Sequence, residues 1–139
     1  MSNHRRTARV PMIEYPAARA VGVDRADRVL GLRFGSFELD CGAHRLSRNG
    51  QSIHVTPKAF ALLCLLVQGA PNVVSKDRIH DRLWPNYAVT DATLFGLVKE
   101  LRRALNDNDR KQRKIRTVHR VGYAFDVHVD VVEEADSYG

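Results

Sequence analysis

The chain has 139 residues, 44% hydrophobic and 27% charged, a composition typical of one globular domain with its own core. Its formal net charge of +6 favours a nucleic-acid partner, although a merely solvated basic surface has the same composition. No apolar run reaches the roughly 18 residues of a membrane helix, and none follows Arg5 and Arg6 as in a secretory signal. We therefore expect neither a membrane span nor a signal peptide in this sequence.

The first 29 residues carry several arginines and two prolines, Pro11 and Pro16, that interrupt any long helix. We interpret residues 1–29 as a flexible arm, either a free tail or an arm that touches DNA. Residues 30–127 are expected to form the folded domain. Residues 128–139 are expected to be a frayed acidic tail.

Short antiparallel strands are expected over residues 30–55. Residues 45–48 and 52–55 flank Asn49-Gly50-Gln51, and Asn-Gly favours a tight hairpin because both residues tolerate a positive φ. Another pair of strands, residues 32–34 and 37–39, flanks Gly35-Ser36. The buried face is expected to comprise Phe34, Phe37, Leu39, Leu46, Ile53 and Val55.

The two cysteines do not form the dense pattern of a disulfide scaffold. Cys64 lies in an apolar run, so we expect it to be a small buried hydrophobic residue. Together with Cys41, it leads us to expect reduced thiols and a cytoplasmic protein.

Two helices follow the strands. Thr56 is a favourable N-cap for a helix over residues 57–68, which opens with a proline and is apolar enough to be central. A second helix is expected to begin after Ser75 and to end near Leu83, because Pro85 cannot continue it.

A third helix is expected over residues 91–105, capped by Thr90 or Asp91. At about 100° per residue, one narrow stripe that must be buried comprises Leu94, Val98, Leu101 and Leu105. The opposite side is small and then basic, with Ala92, Gly96, Lys99 and Arg103. Such a helix fits the major groove of DNA, and it equally fits a core helix with a solvated face.

The last elements are two strands, residues 115–119 and 123–127, on either side of Arg120-Val121-Gly122. From Lys99 to Arg120, nine Lys or Arg residues stand against three Asp or Glu. The expected fold class is therefore α+β, with an N-terminal antiparallel sheet, three helices and a C-terminal β-hairpin.

Five segments carry one pattern in a fixed order. They are Phe34-Gly-Ser-Phe-Glu-Leu-Asp40; Thr56-Pro-Lys-Ala-Phe-Ala-Leu-Leu63; Val74-Ser-Lys-Asp-Arg-Ile79 with Leu83-Trp84-Pro85; Val89-Thr-Asp-Ala-Thr93 with Leu101-Arg-Arg-Ala-Leu105; and Ile115-Arg-Thr-Val-His-Arg-Val-Gly-Tyr123 with Phe125. Together they resemble the OmpR/PhoB-type winged helix-turn-helix domain, the output domain of phosphorelay response regulators, in its CadC-like branch. The resemblance implies a bacterial-type transcriptional regulator that binds double-stranded DNA at specific sequences. It implies that helix 91–105 lies in the major groove and wing 115–127 at the minor groove.

The resemblance also implies which residues contact DNA. Lys76 and Trp84 match phosphate-contacting positions, and Thr117 and His119 match wing positions. On the recognition helix the matching positions are Ala92, Thr93, Leu97, Lys99, Glu100 and Arg102. The helical wheel adds Arg103.

Some positions depart from the family, which often has Arg where this chain has Ala92, Glu100 and His119. Glu100 would repel phosphate, so we expect it to accept from a cytosine amino group. Arg120 is expected to take over from His119, which is a weaker minor-groove probe when neutral. Gly96 costs about 1 kcal/mol in a helix, which favours a reason such as close approach to DNA.

The resemblance implies a contact with RNA polymerase through the loop residues Pro85, Asn86, Tyr87 and Ala88. It also admits a homodimer on tandem or palindromic half-sites. Neither an enzyme nor a metal or cofactor site is expected, since no phosphate loop, nucleophile motif or metal-ligand spacing occurs, and His80 is expected at the surface. The alternative function is a winged-helix protein–protein interaction module without specific DNA binding. The residues that flank the domain are too few for a receiver or sensor domain, so the chain is either a stand-alone protein or a piece of a longer one.

Overall fold

The computed structural model describes residues 25–133. These residues divide into two compact units, one of residues 54–127 and one that combines residues 25–53 with residues 128–133. Residues 1–24 of the expected arm and residues 134–139 of the expected tail lie outside the described residues.

The first unit is a five-stranded antiparallel sheet. Its strands are β1 Arg25–Phe34, β2 Phe37–Asp40, β3 Arg45–Arg48, β4 Gln51–Ser52 and, from the far end of the chain, β8 Asp130–Glu133. They lie in the order β4-β3-β2-β1-β8. The hairpin predicted at Asn49 and Gly50 is confirmed, because both have a positive φ and Arg48 pairs directly with Gln51.

Two expectations for this unit are wrong. Residues 25–29 belong to β1 rather than to an arm, and residues 130–133 form β8 rather than a frayed tail. Leu32 of β1 is paired with Val131 of β8. Two adjacent β-branched residues, Val131 and Val132, favour a strand here, and the acidic residues around them hid that tendency in the sequence. The strand expected over residues 52–55 is also shorter, since β4 ends at Ser52.

The second unit contains three helices and a three-stranded sheet. In chain order the elements are α1 Pro57–Gly69, β5 Val73–Ser75, α2 Lys76–Leu83, α3 Asp91–Ala104, a 3-10 turn Arg110–Gln112, β6 Ile115–Val118 and β7 Gly122–Phe125. The sheet order is β5-β7-β6. The expected α+β fold is confirmed, and β5, which the sequence did not predict, makes the wing sheet three-stranded instead of a simple hairpin.

The helix starts follow the predicted capping chemistry. Ser75 Oγ accepts a hydrogen bond from Arg78 N at 3.0 Å, and Thr90 Oγ1 accepts one from Thr93 N at 3.3 Å. Thr90 rather than Asp91 is therefore the N-cap of α3.

The apolar stripe of α3 is buried as predicted. Its four residues are all 0% exposed, namely Leu94, Val98, Leu101 and Leu105. They pack in a core with α1, whose buried apolar residues include Phe60, Leu62, Leu63, Leu65, Leu66 and Val67. This burial fixes which side of α3 faces outward.

Gly122 allows the wing sheet to close. A Cβ at this position would lie 2.0 Å from Val74 O, so only glycine permits β5 and β7 to approach this closely. Backbone hydrogen bonding continues from here to α2, because Lys76 N donates to Val121 O at 2.9 Å. The wing is thus hydrogen-bonded directly to the start of α2.

The expectation of free thiols is wrong, because both Cys41 and Cys64 are disulfide-bonded and Cys64 is only half-buried. The cysteines therefore give no support for a reducing compartment. Over residues 25–133, the helices are too short and too polar to cross a bilayer.

Candidate nucleic-acid interface

Within residues 25–133, the side of α3 that points away from the core is exposed. We call this surface the outer side, and it comprises the exposed residues Ala92, Phe95, Gly96, Lys99 and Arg103. A Cβ built at Gly96 meets nothing within 4 Å, so no packing inside the protein requires this glycine. The predicted small-then-basic surface is therefore present and accessible.

Phe95 belongs to this surface, and the sequence analysis missed it. Its ring is 46% exposed, and the ammonium of Lys99, one turn later, lies 5.5 Å from the ring centroid. The spacing of four residues between Phe95 and Lys99 could have revealed their common side, since residues i and i+4 are neighbours on a helix.

Two other predicted positions on α3 are less free than expected. Thr93 is exposed, but its hydroxyl lies 3.4 Å from the hydroxyl of the capping residue Thr90. Leu97 is half-buried. Both lie next to the outer side, and neither is part of its cationic surface.

Glu100, which is predicted to read a base, is hydrogen-bonded within the protein. Its Oε2 accepts a hydrogen bond from Thr56 N at 2.7 Å, and its Oε1 accepts one from Thr56 Oγ1 at 2.8 Å. Thr56 is the N-cap of α1 and makes no capping bond with its own side chain. Glu100 thus supplies from another helix what a glutamate in a capping box supplies locally. Its carboxylate is engaged within the protein, and its contact with a cytosine stays a prediction.

Arg102 also has a partner inside the unit rather than a free guanidinium. Its Nη2 donates to Ile115 O at 2.7 Å and to Thr117 Oγ1 at 3.0 Å. The side chain is only 14% exposed. Burial lowers the pKa of Arg102 below its ordinary value, nearby Arg113 adds to this effect, and Asp107 and Tyr123 oppose it. Arg102 and Thr117 therefore hold the wing against α3, and their contact with DNA stays a prediction.

Asp107 completes this connection, and no pattern in the sequence indicated it. Its side chain is 1% exposed, and its carboxylate accepts hydrogen bonds from Lys114 N at 2.7 Å and from Ile115 N at 3.0 Å. Its Oδ2 lies 3.9 Å from Arg102 Nε. A residue in an Asn/Asp-rich turn is usually solvated, but here it orders the chain that leads into the wing.

Lys76 lies where α2 meets α3 and the wing. Its Nζ is 3.1 Å from Asp91 Oδ2, and the side chain is 35% exposed. His80 Nε2 lies 3.8 Å from the other oxygen of Asp91. An ion pair this exposed contributes at most about 1 kcal/mol, so a phosphate can replace Asp91 as the partner of Lys76. His80 is half-buried rather than at the surface as expected.

The wing adds His119 and Arg120 beside Lys76. A cavity of about 180 Å³ is lined by Lys76, Thr117, Val118, His119, Arg120, Gly122 and Tyr123. His119 and Arg120 are exposed, and Arg120 has φ +67° in the turn between the strands. Burial raises the pKa of Tyr123, partly opposed by Arg102 and Lys76. The structure thus brings Lys76, His119 and Arg120 together at one end of α3.

Trp84 and the loop after it complete the predicted set. Trp84 is half-buried, with Lys58 Nζ 5.7 Å from its ring centroid and the ring of His80 5.6 Å away. The loop residues Pro85, Asn86, Tyr87 and Ala88 are all exposed, and Tyr87 is 72% exposed. Within residues 25–133, no group of three or more His, Cys, Asp and Glu residues is arranged to hold a metal ion.

Comparisons with known proteins agree with this geometry. Residues 50–125, more than half of the chain, match the family described as transcriptional regulatory protein, C terminal. The transcriptional regulator HilA of Salmonella typhimurium is 33% identical over 87 residues, and the transcriptional activator CadC of Escherichia coli is 31% identical over 99 residues. These matches cover 63% and 70% of this chain but only 16% of HilA and 19% of CadC. The chain thus spans less than a fifth of either relative.

A solved structure gives the same result for the fold. The DNA-binding domain of E. coli CadC superposes with a TM-score of 0.62 at 30% identity. The superposition covers 73% of this chain and 96% of that domain. The three helices and the wing are therefore arranged as in that DNA-binding domain.

Proposed function

This chain belongs to the OmpR/PhoB-type family of transcriptional regulatory protein C-terminal domains, and we propose that it binds double-stranded DNA at specific sequences to control transcription. In this proposal α3 lies in the major groove and the wing approaches the minor groove. The observation that carries the proposal is the outer side of α3, which is exposed, small at Ala92 and Gly96, and cationic at Lys99 and Arg103.

Four cations are available to neutralise phosphates. Lys99 and Arg103 lie on α3, Lys76 begins α2, and Arg120 lies at the tip of the wing. Arg102 is not counted because its guanidinium is bonded to Ile115 O and Thr117. If each of the four meets one phosphate, log K should fall with log salt concentration at a slope of about −3 to −4.

The experiment is a salt titration of binding to a duplex selected from a random-sequence pool. Lys76→Ala should weaken binding to the selected and to scrambled duplexes alike, and it should reduce the slope by about one. Arg116→Ala is the matched control. It also removes one positive charge, but Arg116 lies on the face of β6 opposite to Thr117, with its Nε 3.3 Å from Asp126 Oδ2. The salt slope of this variant should therefore stay unchanged. A slope near zero for the unaltered protein would contradict DNA binding.

The alternative of a protein–protein interaction module is less well supported. A protein-binding face usually has an apolar centre depleted of lysine, whereas the outer side of α3 has a single aromatic residue beside Lys99 and Arg103. The same titration separates the two functions, because only the DNA complex loses affinity steeply with salt.

We further propose that the loop from Pro85 to Ala88 contacts RNA polymerase. Its support is exposure, above all that of Tyr87 at the tip. Tyr87→Ala should leave DNA binding unchanged and reduce transcription from a bound promoter in a purified system.

We also propose that the protein binds as a homodimer to tandem or palindromic half-sites. In this proposal it acts in the cytoplasm, where bacterial DNA lies. The half-site arrangement is checked by the spacing of repeats in the selected duplexes.

A further inference from the structure

Phe95 is the one large apolar side chain of the outer side, and phosphate binding does not explain it. Its ring is 46% exposed in the middle of α3, although a phenylalanine side chain gains free energy when it leaves water. On one side of it along the helix is Ala92 and on the other is Gly96, which has open space around its Cα. The exposed part of Phe95 is therefore accessible to a surface that approaches α3.

The surroundings of the ring favour DNA as that surface. Lys99 Nζ lies 5.5 Å from the ring centroid, and Arg103 follows one turn later on the exposed side. An apolar protein surface that covered Phe95 would also have to desolvate Lys99 without supplying a counter-charge. The major groove provides phosphates for the cations and base edges for the ring.

Only one group on the base edges of the major groove is apolar, the C5-methyl of thymine. Building on the DNA binding proposed above, we propose that Phe95 is a specificity-determining residue that contacts a thymine methyl group in the bound site. The ring then loses its exposed apolar area against the methyl group, while Lys99 moves to a phosphate. Phe95 has no hydrogen-bonding group, so its contribution is discrimination by shape and apolar contact alone.

Deoxyuridine tests this contact directly, because it differs from thymidine only in lacking the C5-methyl and keeps the same hydrogen-bonding edge. The probes are a duplex selected from a random-sequence pool and a series of copies in which one thymidine at a time is replaced by deoxyuridine. For the unaltered protein, one or two replacements should weaken binding by about threefold to fivefold each, the worth of one buried methyl group.

Phe95→Ala should bind the selected duplex more weakly and should lose this sensitivity, so that thymidine and deoxyuridine copies bind equally. Val73→Ala is the control, since it removes exposed apolar side-chain atoms outside α3 and should keep the full sensitivity. Phe95→Gln gives the same comparison with a side chain of similar reach if the alanine variant is poorly folded. A double-mutant cycle over protein and DNA then isolates the coupling between ring and methyl.

Two results would overturn the inference. One is an unaltered protein that binds the selected duplex tightly and is insensitive to every deoxyuridine replacement. The other is a Phe95→Ala or Phe95→Gln variant with the same deoxyuridine penalties as the unaltered protein. Either result leaves the proposed function intact, because specific and salt-dependent binding would still be observed. Failure of the proposed function has a different outcome, which is no DNA binding even at low salt.

Discussion

The outer side of α3 and the flank that carries Glu100 and Arg102 belong to the same helix, yet their charged groups do different things. Lys99 and Arg103 are exposed and make no ion pair with a carboxylate among the described residues. Glu100 and Arg102 are bonded to Thr56 and to β6. A charge on a recognition helix is therefore not by itself a charge available to DNA.

The difference arises from what packs beside the helix. On one flank α3 meets the start of α1, whose N-cap attracts the carboxylate of Glu100. On the other flank it meets β6, whose carbonyl at Ile115 attracts the guanidinium of Arg102. The outer side, which lies between these flanks and opposite the buried stripe, is an exposed part of α3. The hydrogen bonds of the two flanks thus hold α3 in place, and its outer side remains exposed.

The largest expected effect concerns the buried stripe that sets this orientation. Leu101 is 0% exposed, so Leu101→Ala should lower the free energy of unfolding by about 2–5 kcal/mol through lost burial and the cavity left behind. Arg103→Ala, on the exposed side, should change it by less than about 0.5 kcal/mol. Chemical denaturation measures both. Equal losses for the two variants would mean that α3 is oriented differently.

Two adjacent arginines test the comparison itself. Arg102→Ala should cost about 1.5–3 kcal/mol of stability because it removes a charged hydrogen-bond donor from Ile115 O and Thr117 and leaves Asp107 without its cation. Arg103→Ala should instead reduce the salt slope of DNA binding by about one with little change in stability. If Arg102→Ala proved neutral for folding and harmful for DNA binding, the two roles would have to be exchanged.

Glu100→Ala should have a smaller effect, again on stability. Loss of the cap on Thr56 should cost about 0.5–2 kcal/mol, while the preference for the selected over a scrambled duplex stays unchanged. Non-specific binding should be equal or slightly stronger, since one negative charge is removed. Glu100→Gln, which retains one acceptor oxygen, should cost less. Relaxed sequence preference at full stability would restore the role of Glu100 as a base-reading residue.

Much of the fold follows from local patterns in the sequence. The stripe from Leu94 to Leu105, the Asn49-Gly50 hairpin and the caps at Ser75 and Thr90 depend on neighbours within a few residues, and all are present in the structure. Strands β5 and β8 are instead paired with distant strands, β7 and β1. The two adjacent valines in each were not enough to predict a strand from the sequence alone.

The site shows the same limit more strongly. Helical spacing correctly identified which residues of α3 face outward, but it cannot tell whether a flanking side chain is free. The bonds of Glu100 to Thr56 and of Arg102 to Ile115 connect residues far apart in the chain. Asp107 was hidden for another reason, because a buried carboxylate in a turn is recognised only by the backbone N–H groups that surround it.

The smallest expected effect is that of Gly96→Ala, and Gly122→Ala is its comparison. Gly122 is required by the fold, because a Cβ there would lie 2.0 Å from Val74 O, and Gly122→Ala should therefore destabilise the wing. Gly96 has no such neighbour, so Gly96→Ala should raise the free energy of unfolding by about 0.5–1 kcal/mol through better helix propensity.

The methyl group that Gly96→Ala adds should nevertheless weaken binding to the selected duplex, because α3 is expected to come closest to the base edges at this position. The measurements are thermal unfolding and DNA binding of the same Gly96→Ala sample, with Arg116→Ala as a variant altered away from this side. A more stable protein with lower affinity indicates that the glycine serves the surface rather than the fold. A more stable protein with undiminished affinity would mean that the backbone at Gly96 stays clear of DNA and that base reading depends on longer side chains such as Phe95.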